Sequence, residues 1–291
     1  MIPAPICTFS KDNLYTGSGQ MPLTKLSETN NSVVYSTRNH VIKQFKYPEK
    51  ALDHQHECNM ARSILQQMGI PTRTSVQLFL NPDGIWTMTQ PRFTCDLHTL
   101  YYERPQELGW SSSLIVPILR DVYSSLGPLW EHFACVHGDV KPANIMVHFR
   151  GPVPRFVLWD YGSAESPSYA QYNLGPDEWM TLWYRAPERR TPHKYNQSKI
   201  DIWSMGVLTV ALLGGIHLFQ GRTTPEQFQL CESVHHSRTA SGNGRVETLP
   251  ERPPVVYPAP YIPLVKLTLK PNPFDRSDVD RMLLILQTPP S

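Results

Sequence analysis

Apolar residues recur along this chain with two periods, and the change from one to the other divides it. From Leu23 to Phe45 they come in short runs, through Leu26, Val33-Val34-Tyr35 and Val41-Ile42-Lys43-Gln44-Phe45, which predicts three strands joined by turns. Residues 49–68 then place Leu52, Met60, Ile64, Leu65 and Met68 at helical spacing, closed by Gly69 ahead of Pro71. Ser75 to Leu80 and Ile85 to Gln90 return to strand length, with Asn81-Pro82-Asp83-Gly84 as the turn of a hairpin. Beyond residue 91 the helical period dominates. Residues 111–133 carry Leu119, Val122, Leu126, Leu129 and Trp130 on one face, and Pro117 and Pro128 predict irregular ends. One hairpin interrupts the helices, Ile145 to Phe149 and Phe156 to Gly162, around the turn residues Arg150-Gly151-Pro152-Val153-Pro154. A strongly apolar helix opens at Asp201 and runs to Leu213 before Gly214-Gly215 stops it. Residues 232–263, polar and Pro-rich with Tyr257 and Tyr261, read as a surface connection. Residues 1–21, with Thr16-Gly17-Ser18-Gly19, read as a flexible lead-in.

Composition narrows the function more by exclusion than by indication. Lys and Arg number 27 against 25 Asp and Glu in 291 residues, so no charge excess marks a nucleic-acid or membrane-surface partner. The five cysteines, at 7, 58, 95, 135 and 231, follow neither metal spacing nor a compact disulfide pattern, and read as free thiols of a reducing compartment. The start Met1-Ile2-Pro3-Ala4-Pro5-Ile6 lacks the basic and apolar blocks of a signal peptide, and no apolar run reaches membrane-spanning length. The expectation is a soluble protein acting inside the cell, in the cytoplasm or nucleus.

The chemistry concentrates in His137-Gly138-Asp139-Val140-Lys141-Pro142-Ala143-Asn144 and in Asp160, just past the second strand of the hairpin. A hairpin fixes the distance between its two flanks, so Asp139 and Asp160 emerge at the same end with Asn144 between them. Hard carboxylate and amide oxygens in that arrangement suit Mg²⁺ and phosphate. The bland alternative is a loop capping pair, His137 and Asp139, with Asp160 a turn acid. Five chemistry-bearing residues in register across one hairpin favour the site.

These motifs resemble the catalytic core of a protein kinase, and the resemblance covers about residues 22–286 in the expected order. It implies an α+β, bilobal fold: a small antiparallel β-sheet lobe with one helix over residues 22–91, and a larger, mostly helical lobe over residues 92–291. It implies Asp139 as catalytic base, Lys141 on the γ-phosphate, Asn144 and Asp160 as Mg²⁺ ligands, and Lys43 on the α and β phosphates of ATP. Glu57 is the expected partner of Lys43, preferred to Glu49, which lies one helix start away. Leu26, Val34, Val41 and Met146 would pack on the nucleotide. Gln90 would stand beside the adenine, Phe93 would mark the backbone that reads its edge, and Asp96 would contact the ribose. Asp201 is expected to anchor the catalytic loop, and Arg276 of Asn272-Pro273-Phe274-Asp275-Arg276 to pair with Glu188 of Ala186-Pro187-Glu188.

Two departures stand out. Ser27, Thr29 and Ser32 occupy positions where kinases carry three glycines over the phosphates, and Gly138 replaces the arginine of the usual His-Arg-Asp. The first leaves a non-catalytic scaffold as an alternative. The second, with His137-Gly138-Asp139, leaves a small-molecule kinase of the aminoglycoside or choline type. Lys141 and the Ala186-Pro187-Glu188 segment favour a serine/threonine kinase acting on proteins, and nothing resembles a cyclin-binding helix. Thr181-Leu182-Trp183-Tyr184-Arg185 is similar to the substrate loop of cyclin-dependent kinases, which implies a preference for proline after the acceptor. Gln90 to Tyr102 resembles the hinge of alphaherpesvirus kinases, a hint of viral origin. Gly175-Pro176-Asp177-Glu178 offers fixed acids where relatives carry a phosphorylated threonine, so activity without phosphorylation there is expected.

Overall fold

The computed structural model describes residues 7–10, 13–16, 19–70, 76–81, 83–149, 153–164, 182–190, 198–248 and 254–287. The turn at Arg150-Gly151-Pro152 and the stretch from Gly175 to Thr181, including Trp179 and Met180, lie outside these residues. The chain divides into two compact units, residues 1–93 and 94–291.

The first unit is built on a five-stranded antiparallel sheet of order β4-β5-β6-β8-β7: β4 (Thr24–Glu28), β5 (Ser32–Ser36), β6 (His40–Phe45), β7 (Gln77–Leu80) and β8 (Trp86–Pro91). The β7–β8 turn forms as its residues dictate. Asn81 Oδ1 accepts the amides of Asp83 and Ile85, at 3.0 and 2.8 Å, and Gly84 takes φ +76°. Among the described residues this unit has one α-helix, α1 (Ala51–Gln67), which buries His54, Glu57, Cys58, Met60, Ala61, Ile64 and Leu65.

Two expectations for this unit need correction. Leu52, expected on the buried face of α1, is 85 % exposed, because the inward face is set by His54, Glu57 and Cys58 and leaves Leu52 on the other side. The lead-in is not structureless. It carries three short antiparallel strands, β1 (Cys7–Ser10), β2 (Asn13–Thr16) and β3 (Gly19–Pro22), paired in that order.

The second unit is mostly helical. Its elements are β9 (Cys95–Asp96), α2 (Pro105–Leu108), α3 (Ile115–Phe133), β10 (Ile145–His148), β11 (Arg155–Leu158), α4 (Ser198–Gly214) and α5 (Thr224–Glu232), then α6 (Ile262–Thr268) and α7 (Val279–Gln287). The expected hairpin is β10–β11, and β9 adds a third strand on the other side of β10. α3 runs through Pro128 instead of ending there, since Leu126 and Leu129 on either side are both fully buried and hold the turn in place. α4 is apolar on every side and buried on every side: Ile200, Ile202, Trp203, Met205, Val207, Leu208, Val210 and Ala211 are at most 2 % exposed.

The stretch expected as a surface connection is a further correction. It folds as a three-stranded antiparallel sheet, β12 (His235–Arg238), β13 (Gly244–Glu247) and β14 (Val255–Tyr257), with Val246, Val255 and Tyr257 buried. Gly244 makes this possible, because a Cβ there would overlap the ring of Tyr257 opposite it. Cys58, Cys95, Cys135 and Cys231 are free thiols, and among the described residues no helix is long and apolar enough to cross a membrane.

Candidate active site

The residues singled out in the sequence fall into two groups, one in each unit. In the first unit the register of β5, β6 and β8 places Val34 opposite Lys43 and Val41 opposite Gln90. Lys43 Nζ donates to Glu57 Oε1 at 2.7 Å, with the two side chains 14 % and 8 % exposed. α1 thereby supplies the partner expected of it, while Glu49 lies in the exposed turn ahead of the helix. The pair is backed by packing: Lys43 lies over the Phe45 ring, and Phe45 stacks on His54 with centroids 3.7 Å apart. Gln90 is buried, Phe93 is half-buried, and Leu26 sits at a bulge in β4 with its side chain exposed.

The β4–β5 turn, where glycines were missing, is closed by a side chain. Thr29 Oγ1 accepts the amides of Asn31 and Ser32, each at 3.2 Å, and the Thr29 amide donates to Ser32 O at 2.9 Å. Amides that a glycine-rich turn would present outward are therefore satisfied within this one. Glu28 beside it bonds Lys25 and Lys46, whose ammonium groups hold its carboxyl down at about 2.

In the second unit Asp139 is held on one oxygen by one ammonium and one neutral amide. Its Oδ2 accepts from Lys141 Nζ at 2.8 Å and from Asn144 Nδ2 at 2.9 Å. Its Oδ1 is buried and, among the described residues, has no hydrogen-bond partner. Asn144 Nδ2 also bonds Asp139 O at 2.9 Å, which commits the amide nitrogen and leaves the amide oxygen as the side chain's acceptor. Asp160 follows β11 with φ +64°, a left-handed backbone that Asp tolerates better than most residues, and its side chain is exposed. Met146 lies on β10 opposite Asp96 and Val157. Asp96 is already engaged, accepting the Thr99 amide at 2.8 Å and the Thr99 hydroxyl at 3.3 Å, although a carboxylate so held keeps lone pairs for another donor.

The loop around Asp139 is tied to one helix. Asp201, fully buried in the first turn of α4, accepts the amides of His137 and Gly138 at 2.9 Å each, and Trp130 Nε1 at 3.4 Å. Burial pushes its carboxyl above the usual range, against the pull of those donors. His137 Nε2 donates to Trp159 O at 2.9 Å, so its Nδ1 is the acceptor that meets the Asp139 amide at 3.3 Å. Two neighbours of Asp201 hold other segments: Ser204 Oγ donates to Tyr184 O at 2.8 Å, and Lys199 Nζ to the carbonyls of Arg276 and Ser277 at 3.0 and 2.7 Å.

One residue went unread in the sequence. Arg189 Nη1 donates to Gly138 O at 2.7 Å. The available signal was the pairing of a missing arginine at 138 with a basic residue directly after Ala186-Pro187-Glu188.

The family model for the protein kinase domain matches residues 26–284. The chain belongs to the protein kinase family. Among curated relatives of this kinase domain, cyclin-dependent kinase-like 4 of Homo sapiens is 28% identical over 211 residues, 65% of this chain and 52% of that protein. Serine/threonine-protein kinase SSN3 of Candida glabrata is 25% identical over 64% of this chain and 34% of its own length. Cyclin-dependent kinase-like 2 of Rattus norvegicus is 33% identical over 55% of this chain and 28% of its own length. The chain thus spans about half or less of these relatives. Protein kinases in general act on proteins and use ATP with Mg²⁺. The donor set fits that group: a carboxylate oxygen of Asp139 left unpartnered beside a lysine, an amide oxygen on Asn144 and an exposed carboxylate on Asp160. Among the described residues no three His, Cys, Asp or Glu form a metal cluster.

Proposed function

We propose that this chain is an active serine/threonine protein kinase that transfers the γ-phosphate of ATP to protein hydroxyls. The observation that carries the reading is the asymmetry of the Asp139 carboxylate, with Oδ2 doubly held and Oδ1 buried without a partner. With Oδ2 committed to Lys141 and Asn144, Oδ1 is the oxygen left to accept a proton, and the hydroxyl of a serine or threonine is such a donor. Asp139 Oδ1 would accept that proton as the hydroxyl oxygen attacks the γ-phosphorus and the bond from that phosphorus to the β–γ bridging oxygen breaks, ADP leaving with the bond's electron pair. Lys141, anchored on Oδ2, steadies the transferred group, and the two bonds to Oδ2 keep Oδ1 aimed. Asn144 through its amide oxygen and Asp160 through its carboxylate would hold Mg²⁺, which supplies charge neutralisation on the phosphates when bound. Lys43, oriented by Glu57, meets the α and β phosphates.

Serine/threonine choice rests on Lys141 and on the relatives' names. A preference for proline after the acceptor rests on the likeness of Thr181 to Arg185 to proline-directed enzymes. The free thiols support action in a reducing compartment, the cytoplasm or nucleus.

A second reading, a catalytically weak scaffold that keeps the kinase fold without transferring phosphate, has one observation in its favour: the Thr29 hydroxyl occupies amides that would otherwise face phosphate. Transfer of labelled phosphate from ATP to a degenerate peptide library, with Asp139→Asn as the control, separates the two. The enzyme reading expects label on serine and threonine peptides, and a loss of about 10² to 10⁴ in rate in the control. Nucleotide binding by the wild type without transfer to any peptide or protein would establish the scaffold.

A further inference from the structure

The peptide group joining Gly138 to Asp139 is gripped at both ends. Its N–H, belonging to Asp139, donates to His137 Nδ1 at 3.3 Å, and its carbonyl accepts from Arg189 Nη1 at 2.7 Å. A peptide unit is planar, so fixing its oxygen and its hydrogen fixes the plane from which the Asp139 side chain departs. A guanidinium bond to a carbonyl is charge-assisted and roughly twice as strong as a neutral one.

Position 138 is shaped for this bond. Gly138 has φ +76°, which a residue without a Cβ adopts at no steric cost. A Cβ there would lie 3.3 Å from Ser163 O, a tight approach, and 3.4 Å from Arg189 Nη1, in van der Waals contact, so a residue at this position borders the guanidinium directly. Arg189 is rooted as firmly as it is aimed. Its own amide donates to Ala186 O at 3.1 Å, and the preceding residue, Glu188, is locked to buried Arg276. Gly138, Asp139 and Arg189 line one small hollow together with Tyr184 and Arg185.

We propose that Arg189 is a positioning residue for phosphoryl transfer, fixing the peptide plane that carries Asp139, and that Gly138 and Arg189 are a matched pair. The basic group missing from the catalytic loop is delivered to it from the segment that follows Ala186-Pro187-Glu188. This inference rests on the kinase reading above, and wild-type turnover is measured first: its absence overturns that reading.

With turnover in hand, Arg189→Ala is expected to lower kcat about 10- to 100-fold with KM for ATP within about twofold, the size of loss that misplacing a reacting group by an ångström causes. Amide exchange at Asp139 should quicken while the unfolding midpoint stays within a few degrees. Arg189→Lys, which keeps a cationic donor to the carbonyl, should recover part of kcat. If the alanine variant does not fold, Arg189→Met, with a stem but no donor, carries the same comparison. Wild-type kcat in the donorless variant overturns the proposal. A loss of kcat shared equally by the lysine variant, with exchange raised across the whole unit, overturns it as well, since that pattern belongs to a packing role.

Discussion

Arg276 and Glu188 meet through two hydrogen bonds, Nη1 to Oε1 at 2.5 Å and Nη2 to Oε2 at 2.7 Å, with the arginine side chain closed to solvent and the glutamate 3 % exposed. The remaining donors of the guanidinium are also spent, on the carbonyls of Lys199, Lys270 and Pro271, and its carbon lies over the Trp203 ring. Removing either partner strands a buried charge, at a cost of about 3 to 5 kcal/mol. Arg276→Ala and Glu188→Gln should therefore each lower the urea midpoint sharply. Arg276→Lys, which lacks the planar fork, should fall between them and the wild type. An unchanged midpoint in both variants would contradict the buried pair.

The pair of Lys43 and Glu57 makes a different kind of claim, about turnover. Lys43→Met removes the donor proposed to meet the phosphates, and losses of about 10² to 10³ in kcat accompany removal of such a donor. Glu57→Gln should cost less, because its amide oxygen can still accept from Lys43 and keep it in place. Steady-state kinetics on the two variants decide it: wild-type turnover in Lys43→Met would remove this lysine from the site.

Thr29 closes the β4–β5 turn with its hydroxyl, so Thr29→Gly should release the amides of Asn31 and Ser32 to a ligand. One additional net hydrogen bond corresponds to about 0.5 to 1.5 kcal/mol, or about a twofold to tenfold tightening of ATP binding, read by calorimetry. Weaker binding in the variant would mean that the turn's rigidity matters more than its donors.

Stability should depend on pH through half-buried imidazoles. Burial lowers the pKa of His40, His217 and His236 below the ordinary histidine value of 6.5. The unfolded chain then binds more protons than the folded one below that value. The contribution of these residues is present above about pH 6.5 and lost as pH falls through their folded pKa values. The thermal midpoint should be lower at pH 5.5 than at pH 7.5. His236→Gln should narrow the difference, since His236 is partly buried and its Nε2 donates to Leu269 O at 2.9 Å. A midpoint higher at pH 5.5 would reverse the sign and refute the argument.

Much of this molecule was legible in its sequence because the informative residues are close together. The β10–β11 hairpin follows from two apolar runs flanking a turn, and the residues from His137 to Asn144 bond mostly to one another and to the strand ends beside them. The pairs Lys43–Glu57 and Arg276–Glu188 were found only through motif order, since 14 and 88 residues separate their members. The failures share a cause in tertiary context. The sheet of β12 to β14 has strands of three or four residues with no clean alternation, and it depends on Tyr257 fitting over Gly244, a contact no local pattern announces. Leu52 was placed inside by its hydropathy, whereas the orientation of α1 is set by the polar residues His54 and Glu57. Pro128 reads locally as a stop, yet packing on both sides carries α3 past it. Arg189 went unread because its partner is a backbone carbonyl, to which sequence is blind.

The first turns of α4 carry three neighbouring side chains, Lys199, Asp201 and Ser204, that hold three separate segments of chain. Mechanically the helix end is a common datum: the catalytic loop, Tyr184 and the Arg276 strand-like segment are all measured from it, so an error in one is not passed to the next. Energetically it couples their release. Neither the catalytic loop nor Tyr184 can let go of α4 without stranding the buried carboxylate of Asp201 or the buried hydroxyl of Ser204 on a helix whose middle is closed to water, so these segments should open together with the unit and not by fraying one at a time. The site's precision is then inherited from the most protected element of the chain, and the amides of His137 and Gly138 should exchange with solvent at the rate of the helix that holds them.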